Sequence, residues 1–205
     1  RFSCLARLAP DHSFAPVWQP PFIDALVAED RCHLNGLAMA DAQPIAVTCV
    51  AASNTAHGWR AHRRDGGLVL SVPDGEVMCA GLAMPHSPRW HDGRLWLLQS
   101  GTGELGFVDG MTGHFEPVIA MPGFPRGLAF LGDMAVVSVS RPRTGSGFDG
   151  LPVGERLSRH DQAPDCAIYI VDIRHGALMH RAAVGPDIDE LYDVAVLPGL
   201  HHPRL

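Results

Sequence analysis

Lysine is absent from these 205 residues; all sixteen Lys/Arg positions are arginine. A lysine Schiff base and a P-loop lysine are therefore excluded. Together with abundant alanine, glycine and proline, this bias is what GC-rich coding produces. Long apolar runs are missing too: none approaches the roughly 20 residues a membrane-spanning helix needs. No signal-peptide pattern is visible either, so no membrane contact is expected. The five cysteines, at 4, 32, 49, 79 and 166, include no CxxC pair and are odd in number. They read as small buried hydrophobes of a reducing cytoplasm, where the protein is expected to work. The net charge of −6, with basic residues scattered apart from Arg60, Arg63 and Arg64, argues against a nucleic-acid partner. GxSxG, Walker and GxGxxG patterns are all lacking, and "SGTGELG" (100–106) misses the dinucleotide fingerprint while lying between strands.

What is present is a chain of one-domain size, 46% hydrophobic and 19% charged, inside the globular range. Amphipathic helix patterns are nearly absent. Apolar runs of strand length recur instead: "IAVTCVA" (45–51), "LVLSV" (68–72), "RLWLLQS" (94–100), "MAVVSVS" (134–140) and "AIYIVDI" (167–173). Asp74-Gly75, Asp92-Gly93, Met111-Thr112-Gly113 and Gly132-Asp133 close them as hairpin turns. A repeat underlies the runs. "NGLAMADAQPIAVTCV", "SPRWHDGRLWLLQS" and "RGLAFLGDMAVVSVS" share a short strand, a tight turn and a strongly apolar strand, and each is followed by a second hairpin. Four strands per unit is the layout of propeller blades, so the expected fold is all-β and β-propeller-like. Three blades are expected, with the outer hairpin of an earlier one (3–18) and the first strand of a later one ("YDVAVLPG", 192–199). The opening Arg1-Phe2-Ser3-Cys4-Leu5 reads as the middle of a sheet, so further blades are expected before it. Trp90, Trp96, Phe107, Phe115, Phe130 and Tyr169 are expected to pack between sheets.

"RFSCLA", "EDRCHLNGLA", "GWR", "MPHSPRWHDGRLW", "SGTGELG", "PGFPRGLAF", "GLPVGERL" and "YDVAVLPG" together resemble a bacterial family defined by a domain of unknown function. The resemblance spans essentially the whole chain. It implies a propeller-like fold and members with more sequence ahead of the segment matching Arg1; it carries no activity.

In four-stranded blades, hairpin turns open on one face and the remaining links on the other. Here the first face receives ordinary tight turns. The second receives "DRCHLN" (30–35), "ASNTAHGWRAHRRDGG" (52–67), "MPHSPR" (84–89), "SGTG" (100–103), "PGFPR" (122–126), the link 141–165 and "GPDIDELYD" (185–193). Polar loops gathered at one mouth of a rigid scaffold favour a binding site there. The inner-strand starts put His33, Asn35, Ser87, Arg89, Arg126, Glu190 and Asp193 in the channel, with His86 nearby. Arg89 and Arg126 suit a bidentate carboxylate or phosphate, and His33 with His86 suits proton transfer. The same arginines equally suit pairs that staple blades together. Asn35, Glu190 and Asp193 imitate the oxygen set that holds a divalent cation in propeller lactonases, but two arginines in the channel count against a bare cation. His86 and His91 lack metal-ligand spacing, and His201 and His202 read as surface residues. Trp59 and His57 either cover a ligand or anchor a loop, and 150–160 reads as a short helix serving as lid or packing.

The reading is therefore a module binding a polar, anionic small molecule or peptide end at the loop-rich mouth. A lactonase-like or other hydrolase, metal-dependent or not, and a protein-interaction scaffold are the alternatives. No cofactor and no oligomeric state are assigned.

Overall fold

A computed structural model describes residues 2–141 and 150–200. A short hairpin, β1 (Leu5–Arg7) and β2 (Ala15–Trp18), precedes three four-stranded antiparallel sheets. The first contains β3 (Leu34–Ala40), β4 (Gln43–Cys49), β5 (Gly67–Ser71) and β6 (Val77–Leu82). The second contains β7 (Pro85–His91), β8 (Arg94–Gln99), β9 (Glu104–Val108) and β10 (Phe115–Ala120). The third contains β11 (Phe124–Leu131), β12 (Met134–Ser140), β13 (Ala167–Asp172) and β14 (Ala177–Ala183). In each the chain runs across the sheet in order, which is the meander of a propeller blade. The fold is propeller-like and, among the described residues, all-β apart from a 3-10 turn at Gly58–His62 and one helix, α1 (Pro152–Arg159). Among the described residues no helix is long and apolar enough to cross a membrane.

The unbroken apolar run of β8 follows from its place in the middle of the stack. Successive side chains of a strand point to opposite faces. Leu95 and Leu97 accordingly pack with Ala38, Ala46 and Val69 of the first sheet, while Trp96 and Leu98 pack with Leu128, Val137 and Tyr169 of the third. Both faces are buried, so neither can be polar. Leu97 and Leu98 are fully buried, and each contributes about 2 kcal/mol of apolar burial. The first sheet covers its other face with the β1–β2 hairpin, through Leu5 and Trp18 against Val47, Cys49 and Leu70.

Hairpin turns Asp41-Ala42 and Asp92-Gly93 place both central residues at positive φ, the twist that antiparallel strands require. Helix α1 begins at Pro152, whose ring presets the first helical φ. It buries Val153 and Leu157, one turn apart, with Leu151, Trp59, Met84 and Phe124.

Four expectations are corrected. Trp90 is 47% exposed, because β7 is an edge strand of its sheet and Trp90 lines the cavities beside it. "MPHSPR" is not a link: β7 starts at Pro85, so His86 belongs to a strand and is buried. Likewise β11 starts at Phe124, within "PGFPR". The "YDVAVLPG" segment forms no strand. It runs close to β11, where a Cβ on Gly127 would stand 2.6 Å from the Asp193 backbone. His201 and His202 lie outside the described residues.

Candidate functional site

The innermost strands β3, β7 and β11 lie side by side, and their loop-rich ends hold the polar residues singled out above. Apart from hairpin turns, the non-glycine residues with left-handed backbone gather here: Ser3, Asp30, His33, His57, Met84 and Ser87, with Asp161 the exception beyond α1. Such conformations are disfavoured for side chains with a Cβ, and persist where surrounding structure imposes them, often at functional sites.

His33 places Nδ1 3.0 Å from Asp30 Oδ2 and 3.1 Å from Oδ1. A carboxylate only accepts, so Nδ1 carries a hydrogen. Asp30 is only 5% exposed, and the indole of Trp59 lies 4.3 Å from the imidazole at 31°. Trp59 is buried, so it anchors its loop.

His86 points inward. Its Nδ1 stands 2.9 Å from Met84 O and 3.0 Å from Ser100 Oγ, and Ser100 in turn donates to Pro125 O. Burial, then the charge of Arg126, drives its pKa down to about 3 from 6.5. His86 is a neutral, fixed imidazole at physiological pH. Its ring meets Phe124 edge-on at 5.7 Å.

Asn35 and Ser87 act between blades. Asn35 Nδ2 donates to Pro85 O at 3.0 Å and its Oδ1 accepts from Thr48 Oγ1 at 2.7 Å. Ser87 Oγ donates to Arg126 O. Arg89 and Arg126 face carboxylates from the 185–193 segment. Arg89 Nη2 lies 3.3 Å from both oxygens of Asp193. Arg126 Nη1 lies 3.8 Å from Glu190 Oε2, with its guanidinium carbon 4.4 Å over the Tyr192 ring. Arg141 extends the series, 2.7 Å from Asp189. Both Arg89 and Trp90 line two neighbouring cavities of about 420 Å³ each. The first also takes in Asn35, Ser87, Met39 and Asp193, the second Leu128, Phe130 and Val194.

Among the described residues, no three His, Cys, Asp or Glu side chains converge as a metal cage. Within the proposed oxygen set, Glu190 and Asp193 each face an arginine and Asn35 spends its amide on the scaffold. His91 lies at the far end of β7 from His86, stacked on Phe130 and bonded to Gly132 O at 2.9 Å.

A family model described as Domain of unknown function (DUF4915) matches residues 1–205. The chain belongs to this family. No curated protein matches it in sequence. Among solved structures it is similar to the computationally designed Ika4 protein, at 14% identity over 80% of this chain and 79% of that one, with a TM-score of 0.46. It is also similar to the computationally designed Ika8 protein, at 14% identity over 80% of this chain but only 40% of that one, with a TM-score of 0.45.

Three participants in this DUF4915 site went unmarked in the sequence. Asp30 stands three residues before its histidine, a spacing common in loops. Tyr192 and Ser100 lie far along the chain from Arg126 and His86, and no local pattern links them. Trp90 was visible but was assigned to the core.

Proposed function

We propose that this DUF4915 chain is a binding module for a small anionic molecule or peptide carboxylate, received in the channel beside Arg89. One observation carries the reading: Arg89 lines both channel cavities while its carboxylate partner is loosely held. Arg89 Nη1 is aimed by the carbonyls of Pro88 at 3.0 Å and Leu37 at 3.5 Å. Nη2 meets Asp193 at 3.3 Å on each oxygen, longer than the roughly 2.7–2.9 Å of a good charge-assisted bond. The Asp193 side chain is 63% exposed, and such a pair contributes only about 0–1 kcal/mol. A ligand carboxylate reaching the fork at full strength outcompetes it. Trp90, 47% exposed on the same wall, supplies an apolar face for the rest of the ligand.

Calorimetric titration of the full chain with phenylacetate and with a dipeptide ending in phenylalanine tests this. Saturable binding that weakens at least tenfold in Arg89→Ala supports the reading. Absence of binding to the unmodified chain, or equal binding by Arg89→Ala, overturns it. That the module works in the cytoplasm is part of the same proposal, consistent with five free cysteines.

A further inference from the structure

The segment 189–193 touches the end of β12, then β11, then β7, and it is held unevenly along that path. Its first residues are held tightly. The Arg141 amide donates to the Asp189 carbonyl oxygen at 3.0 Å, and Arg141 Nη1 reaches the Asp189 carboxylate at 2.7 Å. Ser140 Oγ, buried at the end of β12, accepts the Leu191 amide at 2.9 Å and donates to the Leu191 carbonyl oxygen at 3.1 Å. In the middle, Glu190 lies 3.8 Å from Arg126, whose guanidinium carbon stands 4.4 Å over the Tyr192 ring. The last residue is held loosely: Asp193 meets Arg89 at 3.3 Å on each oxygen, with its side chain mostly in solvent.

The loose end is the one beside the ligand. Asp193 offers Arg89 a carboxylate, the group that the site is read as receiving, and it lines the same two cavities. Its anchors, at Leu191 and Asp189, lie two and four positions earlier in the chain. A short tether keeps a group near its partner at an effective concentration on the order of millimolar, so even a weak pair competes with a free ligand. Gly127 of β11 lets the segment lie this close, because a Cβ there would stand 2.6 Å from the Asp193 backbone. We propose that residues 189–193 are a strap, anchored by Ser140 and Arg141, whose Asp193 carboxylate is a built-in competitor for Arg89. The inference rests on the carboxylate reading of Arg89 and adds its regulation. Apparent affinity falls with the fraction of molecules whose site is open, so loosening the strap raises it.

Phenylacetate titrated calorimetrically into the full chain and two variants tests the strap. Asp193→Asn removes the competing charge and is expected to bind about two- to fivefold more tightly than the native chain, the range that so exposed a pair allows. Ser140→Ala changes no charge and lies outside both cavities. By freeing the anchor it is expected to tighten binding in the same direction. Where Ser140→Ala does not fold, Asp189→Asn, 67% exposed, releases the anchor in its place. Equal or weaker binding by Asp193→Asn would overturn the strap. So would unchanged binding by the anchor variant, since Asp193 then acts as a local charge and not as the end of a tether. Either result leaves the carboxylate site at Arg89 standing. Failure of the native chain to bind phenylacetate removes that site, and the strap with it.

Discussion

Asn35 of β3 donates its side-chain amide to the carbonyl oxygen of Pro85 in β7, 3.0 Å away and fifty positions along the chain. The same side chain accepts from Thr48 at 2.7 Å, so one residue joins two strands of its own sheet to the next blade. Replacing Asn35 by Ala strands Thr48 Oγ1 and Pro85 O together. Leaving buried polar groups unmade costs about 1–3 kcal/mol. The unfolding free energy from urea titration is expected to fall by that amount with an unchanged slope.

His86 makes stability depend on mild acid. Its folded-state pKa is lowered to about 3 from 6.5, so the unfolded chain takes up a proton that the folded chain refuses. Stability is unaffected above the unfolded value and falls as pH drops from 6.5 toward 3. The slope from this one group is about 1.4 kcal/mol per pH unit. Denaturation midpoints across that range should show the slope in the native chain and a flatter profile in His86→Asn.

Asp165 adds a second acid-sensitive contact at lower pH. Arg181 reaches it with two nitrogens, at 2.6 and 2.8 Å, and Tyr169 donates its hydroxyl. Arg181 holds the Asp165 carboxyl down at about 2, against 3.8 ordinarily. The stabilisation is present above 3.8 and disappears as pH falls toward 2. Asp165→Asn should lower the melting temperature at pH 7 and lose its difference from the native chain near pH 2. Burial, and then the Asp165 carboxylate, raise the Tyr169 phenol to about 12, so ultraviolet titration should show its ionisation only at that pH and absent in Tyr169→Phe.

The helix α1 behaves as wall rather than lid. Arg156 donates to the carbonyls of Met121 at 2.5 Å, Thr102 at 3.3 Å and Gly103 at 3.5 Å, and Val153 N bonds Gly101 O at 2.8 Å. Leu157→Ala is expected to cost about 2–5 kcal/mol. Hydrogen exchange at the Val153 amide should quicken in both Leu157→Ala and Arg156→Ala. Unchanged protection in both would mean that α1 is not held by these contacts.

Thiol chemistry separates one cysteine from four. Cys32, Cys49, Cys79 and Cys166 are buried, and Cys4 is half-buried with its thiol pushed up by burial. A disulfide reagent at neutral pH should therefore modify Cys4 alone, slowly, in the folded chain, and all five in urea.

Much of the blade layout was legible because it is written locally. "RLWLLQ" is apolar at every core position, and Asp92-Gly93 beside it can turn the chain at positive φ, so the hairpin follows from neighbours. His86 and Trp90 sit in the same stretch; the sequence places one in a link and the other in the core, whereas the structure buries His86 in β7 and leaves Trp90 half exposed. The register shift of β7 between His86 and Arg89 interrupts the alternation from which such a reading is made. The channel arginines were visible as candidates, but Arg89 meets an acid 104 positions away, a separation over which no spacing rule operates.

By itself, the sequence determined that this chain forms short antiparallel strands in repeated four-stranded units. Period-two apolarity and turn residues act over a few positions, and a strand buried on both faces must be apolar throughout. Only the tertiary structure decided which polar residues hold the blades and which face open cavities. His86 spends its hydrogen bonds on the scaffold, Asn35 and Ser87 bond the scaffold while lining a cavity with Arg89 and Trp90, and the Asp30–His33 pair lines another. That division depends on contacts between residues distant in the chain, whose geometry exists only once the sheets have packed.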